Sequence, residues 1–154
     1  GKVRTLLMSP KGVARDPDVS FDGKRVLFSM RNDIKDDYHL YEIGADGRGL
    51  RQISFGRGVS DIDPIYMPDG SIVTCSSREP KYCMCNRHIM ANLFRMDADG
   101  ANIRQIGRST LFEGHAFLMP DGTRTDDRGE DGDRKGGRGK GRGKGGPDGT
   151  NHGM

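Results

Sequence analysis

The chain has 154 residues, of which 24 are glycine, 32% are apolar and 31% are charged, with no tryptophan and a formal charge of +3. That length allows one domain of roughly 100 to 200 residues, but the apolar fraction lies well below the ~45% of an ordinary globular domain, so part of the chain is excluded from any core. No run approaches the ~18 apolar residues of a membrane-crossing helix, and 25 basic against 22 acidic residues give no strong overall field to draw in nucleic acid or anionic lipid.

Residues 1–12 are expected to be a lead-in; Gly1-Lys2-Val3-Arg4 shows neither an initiator methionine nor the apolar region of a signal peptide. Residues 13–60 then present a series of landmarks. Asp16-Pro17 comes first, followed by the corner Phe21-Asp22-Gly23, the run Arg25-Val26-Leu27-Phe28-Ser29 and the run His39-Leu40-Tyr41-Glu42-Ile43. A second corner, Ala45-Asp46-Gly47, and Arg51-Gln52-Ile53 close the unit. Residues 61–108 repeat these landmarks as Asp63-Pro64, Pro68-Asp69-Gly70, Ser71-Ile72-Val73-Thr74-Cys75, Asn92-Leu93-Phe94-Arg95-Met96, Ala98-Asp99-Gly100 and Arg104-Gln105-Ile106. Residues 109–122 begin a third copy, which reaches Met119-Pro120-Asp121-Gly122, and residues 147–154 hold its remaining corner, Pro147-Asp148-Gly149.

Each corner supplies the Asp-Gly chemistry of a tight hairpin turn, and the runs between corners are rich in branched and aromatic side chains, as strands are. Apolar residues fall on both parities, so both faces of each sheet are expected to be covered. Two turns per repeat at a period of 47 to 53 residues is the signature of a propeller blade. A β-sandwich of meanders would use the same strands but does not require the turns to recur in register. The expected class is therefore all-β: a partial β-propeller of two four-stranded antiparallel blades plus a disrupted third, an internal piece of something longer whose remaining blades are its first partners.

The second repeat carries about six extra residues between its corners, falling between Arg78 and Ala91 together with Cys83, Cys85 and His88, just beyond Cys75. Three thiols and an imidazole make a complete tetrahedral set for zinc, although Cys-x-Cys is tighter than the usual knuckle. A disulfide from Cys75 to Cys83 or Cys85, or inert thiols with Cys75 buried as a small hydrophobe, are the alternatives. His115 stands before the third repeat's strand where Asp16 and Asp63 open theirs, so these three residues are candidates to approach one ligand. The competing reading is that each bonds a neighbouring backbone N–H. Asp97-Ala98-Asp99-Gly100-Ala101-Asn102 has the look of a calcium loop but lacks its bidentate glutamate, and Asx-turn chemistry accounts for it. No hydrolase elbow, zinc-protease helix or phosphate loop is present; an enzyme is neither excluded nor supported.

Residues 123–146 contain no apolar side chain and cannot offset an ordering cost of ~1–2 kcal/mol per residue, so this Gly/Arg/Lys-rich segment is expected to be disordered. Its second half alternates cation with glycine, which suits polyanion or RNA binding by phosphate neutralisation. It lacks interleaved aromatics for stacking, and acidic neighbours partly cancel its field, which counts against nucleic acid as a partner.

The strings Asp22-Gly23-Lys24-Arg25-Val26-Leu27-Phe28-Ser29, Leu40-Tyr41-Glu42-Ile43-Gly44-Ala45-Asp46-Gly47 and Arg51-Gln52-Ile53 resemble the TolB-like (PD40, WD40-like) propeller repeat. Through Arg15-Asp16-Pro17-Asp18-Val19-Ser20, Asp61-Ile62-Asp63-Pro64-Ile65-Tyr66 and Tyr82-Cys83-Met84-Cys85-Asn86-Arg87-His88-Ile89 the chain most resembles the propeller of hydrazine synthase alpha subunit-like proteins of planctomycetes, over residues 13–122 and again at 147–152. The resemblance implies a large, exported, periplasmic, multidomain protein, and for this piece a binding or scaffolding role. Its rival is a fragment of a redox metalloenzyme with haem supplied by other sequence, because the haem attachment motif Cys-x-x-Cys-His is absent here. Fold kinship does not by itself hand over an activity.

Overall fold

The computed structural model describes residues 1–82, 89–109, 113–119 and 124–125. The regular elements among the described residues are all strands: β1 (Val13–Val19), β2 (Arg25–Arg31), β3 (His39–Gly44), β4 (Arg51–Gln52), β5 (Asp61–Tyr66), β6 (Ile72–Tyr82), β7 (Ile89–Met96), β8 (Arg104–Gln105), β9 (Phe117–Leu118) and β10 (Arg124–Thr125). Strands β1 to β4 form one sheet in chain order, β5 to β8 a second, and β9 pairs with β10. All pairings are antiparallel. The chain thus folds as two four-stranded blades followed by a short hairpin that begins a third.

One device makes all four corners of these blades. The glycine N–H donates to the carbonyl three residues back, from Gly23 to Ser20, Gly47 to Gly44, Gly70 to Met67 and Gly100 to Asp97. Each of these glycines has a left-handed φ between 69° and 89°. The preceding aspartate accepts from the N–H two residues on, Asp22 from Lys24, Asp46 from Arg48, Asp69 from Ser71 and Asp99 from Ala101, at 2.9–3.1 Å. The Asp97–Asn102 stretch is accordingly an Asx-turn corner like the other three.

Register fixes how the blades stack. Val26 pairs with Ile43 in the first sheet and Ile72 with Met96 in the second, so Val26 corresponds to Ile72 and Leu27 to Val73. Leu27, Leu40 and Ile53 of the first blade are buried against Tyr66, Ile72 and Met96 of the second. The other face of the first blade gathers Phe28, Met30, Tyr41 and Ile43, with Val26 and Leu7 of the lead-in packed on it. The other face of the second blade gathers Val73, Cys75 and Leu93, with Ala116 from the start of the third. A strand's alternate side chains point to opposite faces, which is why apolar residues of both parities were needed. Each large aliphatic residue buried in this way contributes about 1.5–3 kcal/mol.

A buried charge is shared across the seam between the blades. Glu42 is 7% exposed and takes Arg25 at 3.2 Å and Arg51 at 3.0 Å, while the Tyr66 hydroxyl donates to it at 2.7 Å. Burial, then the bond to Glu42 and its charge, holds the Tyr66 phenol well above its ordinary range, so it stays a donor.

Two features depart from the sequence reading. The connection expected between Arg78 and Ala91 is, in its described part, an extension of the hairpin: after an irregularity between Ser76 and Lys81, Lys81 pairs with Met90 and Tyr82 with Ile89. Pairing satisfies backbone groups that a loose connection would leave to solvent. Asn92 donates to the Glu79 carbonyl and Lys81 to that of Ser109, which pin the extension. The second feature is at the head of the polar segment. Arg124 and Thr125 pair with Leu118 and Phe117, because a ladder needs only backbone groups and an established neighbour. The remainder of residues 123–146 lies outside the described residues.

Candidate functional site

Strands β1 and β5 are the edge strands that adjoin one another, β5 packing on both β1 and β2. Each carries a bulge, between Arg15 and Asp18 in β1 and between Ile62 and Ile65 in β5. At these bulges Asp16 and Asp63 adopt left-handed backbone with φ of 53° and 49°, and His115 does so at 50° where the third copy begins. Aspartate and histidine are among the few side-chain-bearing residues that tolerate this region, and a bulge re-aims the side chain it carries. The aspartates therefore act from within their strands, not from the strand starts.

The structure brings the three together. The Asp63 N–H donates to Oδ2 of Asp16 at 3.3 Å, and Nδ1 of His115 is 3.7 Å from Oδ2 of Asp63. Asp16 thus serves the backbone of the next blade, as the competing reading of these residues required. Asp18 does the same one turn of pleat later, accepting from the Tyr66 N–H at 2.7 Å.

Arg15, which the sequence reading passed over, completes the group. Its Nε donates to Asp16 at 2.6 Å, its terminal nitrogen lies 3.7 Å from Oδ1 of Asp63, and its guanidinium stands 5.9 Å over the Tyr38 ring. The bond to Asp16 raises the arginine's pKa further. The signal that could have found it is positional: the equivalent residues of the other copies are Ile62 and Gly114.

Asp63 is the buried member, 7% exposed, against 25% for Asp16, 41% for Arg15 and 61% for His115. Burial, followed by the adjacent Asp16, pushes its carboxyl above the ordinary carboxylate range, while the charge and N–H of His115 pull it back. Its Oδ2 has no hydrogen-bond partner among the described residues.

Of the sulfur and imidazole set, Cys75 is described: it is fully buried in β6 with Val73, Leu93 and Ala116. Cys83, Cys85 and His88 lie outside the described residues. Cys75 pairs with Leu93, four positions along β7 from Ile89, about 13 Å at ~3.3 Å per residue. A centre shared with residues 83–88 requires those residues to turn back over the hairpin. Among the described residues no group of three or more His, Cys, Asp or Glu side chains is placed to hold a metal, and no helix is long and apolar enough to cross a membrane.

The blades and their inner edge define a TolB-like β-propeller fold. No family model matches the chain, and no curated protein matches it. Among solved structures it is similar to hydrazine synthase of Kuenenia stuttgartiensis (20% identity, TM-score 0.64, 73% of this chain and 21% of that one). It is also similar to TolB from Acinetobacter baumannii (18%, 0.57, 72% and 25%) and to a TolB-type protein from Agrobacterium tumefaciens (20%, 0.61, 79% and 39%). The chain spans from 21% to 39% of the length of these structures.

Proposed function

We propose that this chain is a binding and scaffolding module of a larger exported β-propeller protein of the hydrazine synthase alpha subunit-like group, stacking through its blade faces. The observation that carries the reading is the incomplete cover of the first blade's outer face, where Leu7 of the lead-in packs on a buried cluster but leaves the Val19 edge exposed. Val26 and Ile43 occupy the positions at which the second blade seals Ile72 and Met96 against the first. Val19, the counterpart of Tyr66, is 58% exposed where Tyr66 is 5%. An apolar position that a neighbouring blade covers in one repeat and that stands exposed in its equivalent supports docking of a further blade along that edge. Hydroxyl-radical footprinting tests this: Val19 is labelled several-fold less in the longer gene product than in the isolated stretch, and equal labelling contradicts the reading.

Within that module, Cys83, Cys85 and His88, together with Cys75, are proposed to hold a zinc ion, or Cys75 to form a disulfide with Cys83 or Cys85. What supports it is the donor chemistry of three thiols and an imidazole. Metal analysis on protein purified without chelator, together with thiol titration, decides: stoichiometric zinc or the loss of two thiols is expected, and three reactive thiols in metal-free protein contradict both forms.

A further inference from the structure

At the inner edge the third copy of the repeat breaks the pattern of the first two. Where they place Asp16 and Asp63, it places His115 on the same left-handed backbone. Asp16 accepts from the backbone of the blade that follows, whereas His115 faces back, with Nδ1 3.7 Å from the buried Oδ2 of Asp63, which has no hydrogen-bond partner among the described residues. A buried carboxylate oxygen without a donor bears its desolvation cost uncompensated. The imidazole of His115 is a group placed to supply a proton to that oxygen.

We propose that His115 and Asp63 form a proton-operated latch that fastens the start of the third blade to the second. With one proton held between them, the pair supplies the donor that Oδ2 lacks, and the proton belongs to the pair and not to either residue. When it leaves, an ionised Asp63 is left beside a neutral imidazole. His115 is exposed enough to exchange that proton with water.

Among the described residues, the other charged groups near the pair have partners of their own. From β1, Arg15 faces Oδ1 and Asp16 bonds Arg15 and the Asp63 N–H. Asp18 is taken by the Tyr66 N–H. From β5, Asp61 is taken by Arg78 at 2.9 Å. From the third copy, Glu113 is taken by the N–H groups of Leu93 and Ser109. Burial raises the Asp63 carboxyl, which favours proton retention in the folded state. The sign follows: the fastening is complete at acid pH and is lost as pH rises through the range of the pair. This holds whether or not the stretch serves as a scaffold.

The test is amide hydrogen exchange on the full chain from pH 5 to pH 8, corrected for the intrinsic pH dependence of exchange. Protection of Ala116, Phe117 and Leu118 is expected to fall several-fold relative to Leu27 and Val73 as the pair loses its proton. In His115→Gln the fall disappears while Leu27 and Val73 keep their protection, and Asp63→Asn behaves alike. A wild-type chain with no fall, or a fall that persists in His115→Gln, overturns the proposal; should Asp63→Asn not fold, His115→Gln decides alone.

Discussion

Gly70 and Gly100 share a left-handed backbone, φ of 83° and 89°, yet only one of them is also hemmed in. A Cβ on Gly70 meets nothing within 4 Å, whereas on Gly100 it would stand 2.1 Å from the Ile53 carbonyl oxygen of the neighbouring blade. Gly70→Ala should therefore cost about 1 kcal/mol, the backbone term alone, and Gly100→Ala at least about 2 kcal/mol more, since backbone cannot give way cheaply. Urea denaturation of the two variants checks the difference, and equal costs would mean that the second corner does not touch the first blade. Glu42→Ala, which leaves the buried Tyr66 hydroxyl without its acceptor while the half-exposed Arg25 and Arg51 turn to solvent, should cost about 1–3 kcal/mol in the same assay. At this scale the sequence was partly legible. The Asp-Gly corners announce themselves because their chemistry is local, and Asp16, Asp63 and His115 stood out by position. Arg15 did not, because its role depends on two carboxylates 47 residues apart in the chain that only stacking brings together.

At the level of strands and turns, pH acts on the corners before it acts on the sheets. Bonds from the Ser20 hydroxyl and the Lys24 N–H hold Asp22 below the ordinary carboxylate range, and bonds from Ser71 do the same for Asp69. A depressed carboxyl contributes stability that is present above its unfolded value and lost as pH falls through its folded one. The Lys24 and Ser71 amide resonances should therefore move together in an acid titration below about pH 4, while the amides of Leu27 and Val73 stay in place; movement beginning well above that range would show that the Asx bonds are not what closes the corners. The strands flanking each corner were readable from their branched and aromatic runs. The extension of β6 to Tyr82 was not, because Arg78-Glu79-Pro80-Lys81 has turn composition and is held along β7 by the Asn92 bond to the Glu79 carbonyl and by the pairs that resume at Lys81 and Tyr82. Proline is tolerated there as it is at strand edges and bulges.

Across the whole molecule, the repeat was the strongest signal in the sequence, and it specifies stacking more than any single contact does. Corresponding positions in successive blades point in corresponding directions, so one face of each blade meets the opposite face of the next. Leu27 lies in the seam with Ile72, whereas Val73, its own counterpart, faces the third copy with Cys75 and Leu93. Truncating Leu27 to alanine should cost about 2–5 kcal/mol and loosen both blades in one cooperative transition; loss confined to β1–β4 would mean that the blades are independent. What the sequence withheld is what lies between repeats, namely which carboxylate serves which backbone, since those partners are set by the rotation from one blade to the next. That rotation is tested most directly by methyl–methyl nuclear Overhauser contacts in the full chain. The stacking described here predicts strong contacts from Leu27 and Leu40 to Ile72 and Met96 and none from Leu27 to Val73, whereas contacts from Leu27 to Val73 without contacts to Ile72 would contradict it.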